Sequence, residues 1–263
     1  MKRVLARGNV ALLGQLASAN VLLAFDFDGT LAPIVSSRED ATMRRRTAWL
    51  FTRLCTQYPC AVISGRSQAD VASRLAAADV RYVIGNHGLE PGNDLGSFQG
   101  EVVRARAALV AALAGERGLD VEDKRFSLAV HYRQARHKRA AREAILRAVG
   151  ELSVPMRVIH GKLVVNVVPA RATHKGDALL NLRDAAGATT ALYVGDDVTD
   201  EDVFKLDQPG KLLTVRVGAS KTSAASYVLR DQREIDTLLA RLVRLRSAGR
   251  PAPVLATAVD LAP

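Results

Sequence analysis

Residues 21–30 have the sequence VLLAFDFDGT, in which a continuous apolar run ends in two aspartates. A run of this kind is typical of a strand that is buried on both faces of a parallel sheet. Side chains two residues apart share one face of an extended chain, so Asp26 and Asp28 are expected to point into one site. The segment therefore predicts a buried strand with a pair of carboxylates at its carboxyl end.

Strands and helices are predicted to alternate up to residue 88, which indicates a parallel α/β sheet. Apolar periodicity predicts a helix over 9–18, a helix over 43–57, a strand over 60–64, a helix over 67–77 and a strand over 80–88. In the second helix, the predicted apolar stripe consists of Trp49, Leu50 and Leu54. The same alternation resumes from Thr173, with a helix that Lys175 opens and a buried strand that ends in GDD (195–197).

The intervening segment has a different pattern and predicts an inserted cap domain. PGNDLGS (91–97) predicts a linker, and an αββαββ unit follows it. We therefore expect a core domain formed by residues 1–95 and 171–250, a cap domain formed by residues 96–170, and a loose tail at 251–263.

A second acidic cluster, GDDVTDED (195–202), also follows a buried apolar strand. Ligands of open α/β sheets lie outside the carboxyl ends of the strands, where both clusters would meet. Converging carboxylates repel one another, and a hard divalent cation with oxygen ligands relieves that repulsion. Since Ser64 ends a third such strand, the pattern predicts a Mg²⁺ site that acts on a phosphate.

Four segments resemble the motifs of the haloacid dehalogenase-like phosphatases, in the order of that superfamily. They are DFDGTLAPI (26–34), SGR (64–66), Lys175 and GDDVTDEDVF (195–204). GDDVTDEDVF, GNHGLE (85–90) and the cap residues EDK (122–124) and HYR (131–133) more narrowly resemble the trehalose-6-phosphate phosphatases. The resemblance implies a Rossmann-like parallel-sheet core with an α+β cap, and Mg²⁺-dependent hydrolysis of trehalose 6-phosphate through an aspartyl-phosphate.

The resemblance also implies roles for residues of the core. Asp26 would be the nucleophile and Asp28 the general acid and base, while Ser64 and Lys175 would contact the transferring phosphoryl group. Mg²⁺ would be held by the Asp26 carboxylate, the backbone carbonyl of Asp28 and Asp196. Asp197 and Asp200 are expected to support this site.

Substrate binding is expected to involve both the cap and the core. Alternation in SLAVHYR (127–133) places Leu128, Val130 and Tyr132 on one face and His131 and Arg133 on the other, so one cap face can be polar. The residues expected to contact the substrate are Gly65, Arg66, His87, Glu122, Lys124, Arg133 and Asn166. For His87, a structural role in its loop is equally compatible with the sequence. Family members usually carry glutamate where this chain has Asn166, and a carboxamide lacks that charge.

The chain has 37 Lys and Arg against 27 Asp and Glu, a net charge of +10. This charge suits an anionic small substrate or a nucleic acid, but only 5% of the residues are aromatic, which weakens the case for base stacking. We expect a cytoplasmic monomer that acts on a sugar phosphate, with no nucleic-acid or membrane partner. The alternatives are a phosphatase for another sugar phosphate (sucrose-phosphate or mannosyl-phosphoglycerate), a phosphomutase, and a basic nucleic-acid-binding module.

Overall fold

Two separate β-sheets organise the chain in a computed structural model that describes residues 1–249 except 76, 93, 162 and 207. The strands, in chain order, are β1 (Lys2–Arg3), β2 (Val21–Phe25), β3 (Cys60–Ile63), β4 (Tyr82–Ile84), β5 (Asp120–Asp123), β6 (Leu128–His131), β7 (Met156–Gly161), β8 (Val164–Pro169), β9 (Thr190–Gly195), β10 (Leu212–Val217) and β11 (Tyr227–Leu229). The α-helices are α1 (Val10–Ser18), α2 (Arg45–Cys55), α3 (Gln68–Arg74), α4 (Leu95–Ala112), α5 (Lys138–Gly150), α6 (Lys175–Ala185), α7 (Glu201–Phe204) and α8 (Glu234–Gly249). The predicted tail, 251–263, lies outside the described residues.

The larger sheet has seven parallel strands in the order β1-β11-β10-β9-β2-β3-β4. From the adjacent pair β2 and β9, the chain proceeds to β3 and β4 on one side and to β10 and β11 on the other. Strand order reverses at this pair, and such a reversal opens a crevice at the carboxyl ends of the two strands. The predicted parallel-sheet core is confirmed, and its crevice lies where the two acidic motifs begin.

Burial on both faces explains the unbroken apolar sequence of β2. Leu23 and Phe25 belong to the core cluster that includes side chains of α1, α2 and α8. Leu22 and Ala24 face the opposite way and pack in a cluster with Leu179 of α6. Helices cover the sheet on both sides, so side chains on both faces of β2 are apolar. Polar groups are then left to the ends of the strands.

The smaller sheet is antiparallel, with the order β5-β6-β8-β7, and it forms the predicted α+β cap. Helices α4 and α5 cover one face, where Leu128 and Val130 pack in one cluster with Leu109 and Ile145. On the other side, His131 and Arg133 line the cleft toward the core. In the described part of the chain, no helix combines the length and the apolar character needed to cross a membrane.

Two local expectations are wrong. Trp49 is 57% exposed, because the buried face of α2 consists of Thr47, Leu50, Phe51 and Leu54; its ring instead lies 5.0 Å from the guanidinium carbon of Arg53. The expected linker 91–97 already contains the first turn of α4. Its glycine and serine are tolerated in the helix because Phe98 and Leu95 pack in a small cluster at the junction of core and cap.

A buried hydrogen bond joins α2 to α8, and its loss should destabilise the fold. Thr47 Oγ1 donates to Asp236 Oδ1 at 2.6 Å, and both residues are buried. Thr47→Val should lower the free energy of unfolding by about 1–3 kcal/mol, because the buried carboxylate loses its hydroxyl donor. Urea denaturation measures this change.

Thr52→Val on the same helix provides the matched control. The Thr52 hydroxyl donates to the Ala77 carbonyl at 3.3 Å near the surface, so its loss should change the unfolding free energy by less than about 0.5 kcal/mol. Equal effects of the two substitutions would contradict the role of the Thr47 hydrogen bond.

Candidate active site

The predicted catalytic residues meet at the crevice between β2 and β9. Asp26 follows β2 and Asp196 follows β9, and both line a cleft of about 970 Å³ between the core and the cap. The cap side of this cleft includes Glu122, Lys124 and Asn166. The topology thus brings the two acidic motifs together and places the polar cap face opposite them.

A buried lysine lies between two carboxylates at the base of the cleft. Lys175 Nζ donates to Asp26 Oδ1 and to Asp200 Oδ1, each at 2.8 Å. Burial by itself would lower the pKa of Lys175, but the Asp200 and Asp26 carboxylates outweigh it and raise the pKa well above its usual range. Burial raises the pKa of Asp26 while the Lys175 ammonium acts in the opposite direction. Lys175 therefore stays charged and holds one Asp26 oxygen in place.

Both carboxylate oxygens of Asp200 accept hydrogen bonds within the protein. Its Oδ1 accepts from Lys175 Nζ and from the Tyr193 hydroxyl (2.7 Å), and its Oδ2 accepts from the backbone N–H of Asp197 (2.9 Å). Its side chain is completely buried. These contacts suit the supporting role expected for Asp200, since it holds Lys175 and shapes the loop that follows β9.

Carboxylates of Asp26, Asp196 and Asp200 form a group that could hold a divalent cation, with ligand atoms within 4.8 Å of one another. Burial, together with the nearby Asp200 and Asp197 carboxylates, raises the pKa of Asp196 to about 8. A Cβ atom at Gly29 would overlap the Asp196 carboxylate, so the glycine leaves room for it. Repulsion among these oxygens is the cost that a bound cation removes, and the site therefore fits a hard divalent metal.

Asp28 and Arg66 form a bidentate ion pair beside this cluster. Arg66 Nε donates to Asp28 Oδ2 at 2.6 Å and Nη2 donates to Oδ1 at 2.8 Å. Its Nη1 donates to Asp70 Oδ2 at 2.7 Å, so most of its donors are already used. Arg66 was expected to bind substrate, and here its main contact is the expected acid/base carboxylate. Ser64 is buried beneath it and its hydroxyl oxygen accepts from the Arg66 backbone N–H at 3.2 Å.

Lys124 connects the cap to the loop of the core that contains SGR (64–66). Its Nζ donates to the Gly65 carbonyl at 3.0 Å and lies 3.4 Å from Asn166 Oδ1. Burial, together with the guanidinium groups of Arg38 and Arg66, lowers the pKa of Lys124 to about 8. A cation of the cap therefore lies next to the core motif SGR, and its charge can change near neutral pH.

The other expected cap residues lie around the same cleft. Glu122 forms an ion pair with Arg38 of the core, and its Oε2 lies 2.9 Å from His131 Nε2. Arg133 lines the cleft and is exposed to solvent. Sequence reasoning missed Arg38, because a surface arginine in a loop carries no periodic signal.

His87 is buried against the loop that contains SGR (64–66). A Cβ atom at Gly65 would contact its ring, and neither ring nitrogen has a hydrogen-bond partner within the described structure. Burial holds the pKa of His87 well below its usual range, and the Lys124 and Lys175 ammonium groups lower it further. A neutral ring with unused donor and acceptor atoms, lining the cleft, is suited to a hydroxyl group.

A family model described as trehalose-phosphatase matches residues 24–233, which include every core motif named above. The chain belongs to the trehalose-phosphatase family. The trehalose-phosphate phosphatase of Mycobacterium avium (strain 104) is 36% identical to this family member over 217 residues, covering 77% of this chain and 55% of that protein. That of Mycobacterium tuberculosis (strain H37Rv) is 32% identical over 250 residues, covering 89% and 63%. The chain thus spans little more than half the length of the curated relatives it matches.

Solved structures show that this trehalose-phosphatase family member shares its fold with sugar phosphatases. The C-terminal domain of Candida albicans trehalose-6-phosphate phosphatase has a TM-score of 0.75 at 23% identity, covering 90% of this chain and 97% of that one. The Aspergillus fumigatus trehalose-6-phosphate phosphatase has a TM-score of 0.63 at 27% identity, covering 93% and 99%. A Synechocystis sucrose-phosphatase has a TM-score of 0.58 at 17% identity, covering 86% and 98%.

Replacing the buried lysine should destabilise the protein strongly. Lys175→Met leaves the Asp26 and Asp200 carboxylates without their counter-charge, and we expect the free energy of unfolding to fall by about 3–5 kcal/mol. Urea denaturation in EDTA measures the change without interference from bound cations. Lys211→Met at an exposed position should change the free energy by less than about 0.5 kcal/mol. An equally small effect at Lys175 would contradict the ion-pair arrangement.

Proposed function

We propose that the chain hydrolyses trehalose 6-phosphate to trehalose and phosphate through an aspartyl-phosphate intermediate, the last step of trehalose biosynthesis. The observation that carries this proposal is the buried Asp26–Lys175 pair at the base of a polar cleft in a chain of the trehalose-phosphatase family. The cleft is large enough for a phosphorylated disaccharide, and its cap side presents groups that can bind hydroxyls.

Asp26 acts as the nucleophile in the first step. Its Oδ1 accepts a hydrogen bond from Lys175 Nζ, so the other oxygen, Oδ2, attacks phosphorus. The bond from phosphorus to the sugar oxygen breaks as the new bond forms. Lys175 and the Ser64 hydroxyl stabilise the charge on the transferring group. The carboxylates of Asp26 and Asp196 and the Asp28 carbonyl would hold Mg²⁺, which would neutralise charge on the phosphate.

Asp28 carries the protons in both steps. Its carboxylic acid gives a proton to the departing sugar oxygen, and the resulting carboxylate then removes a proton from the water that attacks the aspartyl-phosphate. The second attack releases inorganic phosphate and regenerates Asp26. In the structure Arg66 pairs with the Asp28 carboxylate through two hydrogen bonds, so this pair has to open before Asp28 can carry the proton that it donates. Asp197 and Asp200 support the loop that carries Asp196.

Sugar recognition is assigned to the cap and to the buried histidine of the core. Glu122, Lys124, Arg133 and Asn166 line the cap side of the cleft and offer donors and acceptors to the sugar hydroxyls. Gly65 and Arg66 are assigned to the phosphate, and the His87 ring lies against Gly65 and offers its nitrogens to the sugar. A neutral carboxamide at Asn166 can both donate and accept, which favours a hydroxyl-rich sugar but does not select one disaccharide.

The division of the chain follows from the two sheets. We propose a core domain of residues 1–95 and 171–250 and a cap domain of residues 96–170, with hinges near 91–100 and 168–173 that open the cleft. We further propose that the protein acts as a monomer in the cytoplasm on a small sugar phosphate, without a nucleic-acid or membrane partner. The enclosed cleft and its mixture of charges support a small anionic substrate.

A substrate panel tests the proposed function. Phosphate release is measured from trehalose 6-phosphate, glucose 6-phosphate, sucrose 6-phosphate and mannosyl-3-phosphoglycerate, each with Mg²⁺ and with EDTA. We expect preferential release from trehalose 6-phosphate that EDTA abolishes. The control Asp26→Asn should remain folded and lose all measurable turnover, since an amide does not attack phosphorus. Preferential release from another sugar phosphate would keep the reaction and overturn the substrate, while no release from any of them would overturn the function.

The pKa of Lys124 predicts how substrate affinity depends on pH. Since that pKa is about 8, raising the pH from 7 to 9.5 removes the ammonium charge from the cleft. The phosphate of the substrate is a dianion throughout this range, because its second pKa is about 6. We therefore expect kcat/KM to fall as pH rises through about 8, mainly through a larger KM.

Lys124→Arg provides the control, because arginine stays charged at these pH values. The fall near pH 8 should disappear in this variant, whatever its absolute activity. A wild-type KM that stays constant from pH 7 to 9.5 would contradict a contact between Lys124 and the anionic substrate.

A further inference from the structure

Arg216 lies next to the acidic loop that follows β9, although it belongs to the neighbouring strand β10. The parallel register places it opposite Gly195, the residue that immediately precedes Asp196. Val215 and Val217 on either side are buried in the apolar core. Arg216 itself lines the cleft. Because its side chain does not pack in the apolar core, the reason for an arginine at this position lies in its polar contacts.

The guanidinium of Arg216 binds two consecutive carbonyl oxygens of the acidic loop. Its Nη2 donates to the Asp196 carbonyl at 2.5 Å and its Nη1 donates to the Asp197 carbonyl at 3.3 Å. Nη1 also donates to Glu201 Oε1 at 3.2 Å, and Glu201 Oε2 accepts from the backbone N–H of Ala224 at 2.9 Å. The side chains of Arg216 and Glu201 are only 15% and 13% exposed. Arg216 is therefore anchored and in turn holds the backbone of the loop.

These contacts determine where the Asp196 carboxylate can lie. Thr30 Oγ1 donates to Asp196 Oδ1 at 3.2 Å, and Gly29 leaves the space that the carboxylate occupies. Arg216 fixes the carbonyl of the same residue, so the backbone and the side chain of Asp196 are held independently. A cation that binds to Asp26 and Asp196 needs both carboxylates in place before it arrives, and this arrangement provides one of them.

We propose that Arg216 is a positioning residue for the divalent-cation site and sets its affinity by holding the backbone of Asp196 and Asp197. This proposal takes from the proposed function one assumption, that a divalent cation binds at Asp26 and Asp196, and it does not depend on which substrate is hydrolysed. The positive charge of Arg216 by itself would oppose cation binding, whereas its hydrogen bonds to the Asp196 and Asp197 carbonyls favour binding by holding the loop in place. The two effects change the cation affinity in opposite directions. Weaker cation binding after removal of Arg216 would show that the hydrogen bonds dominate, and tighter binding would show that the charge dominates.

The test is equilibrium Mn²⁺ binding to the substrate-free protein, measured from the electron paramagnetic resonance signal of free Mn²⁺. Arg216→Gln removes both the charge and the hydrogen bonds to the loop, whereas Arg216→Lys keeps the charge but replaces the planar guanidinium, whose two nitrogens contact the two carbonyls separately, with a single ammonium nitrogen. We expect the Kd for Mn²⁺ to rise about 10-fold or more in Arg216→Gln and to rise also in Arg216→Lys, as is usual when a group that orients a metal ligand is lost. The Mg²⁺ concentration for half-maximal activity should rise in parallel.

Arg183→Gln is the matched control. Arg183 is 13% exposed, donates to Gln208 Oε1 and lies beside Asp184, and it does not contact the acidic loop. Its Kd for Mn²⁺ should remain within about twofold of the parent value. Unchanged or tighter Mn²⁺ binding in Arg216→Gln, or an equal loss in the control, would overturn the proposal.

A second variant covers the case in which Arg216→Gln does not fold. Glu201→Gln keeps an oxygen that accepts from the Ala224 N–H but removes the charge that anchors Arg216, so Mn²⁺ affinity should fall by several-fold. Unchanged affinity would overturn the proposal. Failure of the proposed function would appear separately: Arg216-dependent Mn²⁺ binding without phosphate release from any sugar phosphate would overturn the substrate and leave the role of Arg216 standing.

Discussion

The shared position of the Lys175 ammonium between Asp26 and Asp200 is the constraint on which the site depends. Burying three charges costs several kcal/mol for each, and only close pairing offsets that cost. The three residues come from the end of β2, the start of α6 and the loop after β9. Because the lysine reaches both carboxylates, it ties these three segments together, and in this arrangement Asp26 lines the cleft.

The start of α6 explains how the chain returns from the cap to deliver this lysine. The His174 side chain caps the helix, with Nδ1 accepting from the backbone N–H groups of Gly176 (3.1 Å) and Asp177 (3.3 Å). Gly88 allows the backbone of His174 to approach closely, since a Cβ atom there would overlap it. The loop after β4, which also carries His87, is therefore packed against the residue that precedes Lys175. The connection from the cap and the base of the catalytic site are one packed unit.

The core side and the cap side of the cleft differ in charge. On the core side, burial and mutual repulsion raise the pKa of Asp26 and Asp196, which favours a site that accepts a cation. On the cap side, Lys124 lies beside the Gly65 carbonyl and meets a neutral carboxamide at Asn166. An anionic phosphate placed between a metal-binding cluster and a cap lysine gains from both, whereas a neutral sugar gains from neither.

The parallel-sheet core and the inserted α+β cap could be predicted from the sequence, because both follow from local periodicity. The convergence of the acidic motifs could be predicted too, because the carboxyl ends of neighbouring parallel strands lie at one edge of the sheet. The sequence could not identify β1 and β11, which are too short for any periodicity, or the exposure of Trp49, which depends on which face of α2 meets α8. Three pairings were visible only in the folded structure: Arg66 with Asp28, Glu122 with Arg38, and the hydrogen bond from Arg216 to the Asp196 carbonyl. These pairings join residues 20 or more positions apart, and the direction of a long side chain is set by the packing around it rather than by its neighbours in the chain.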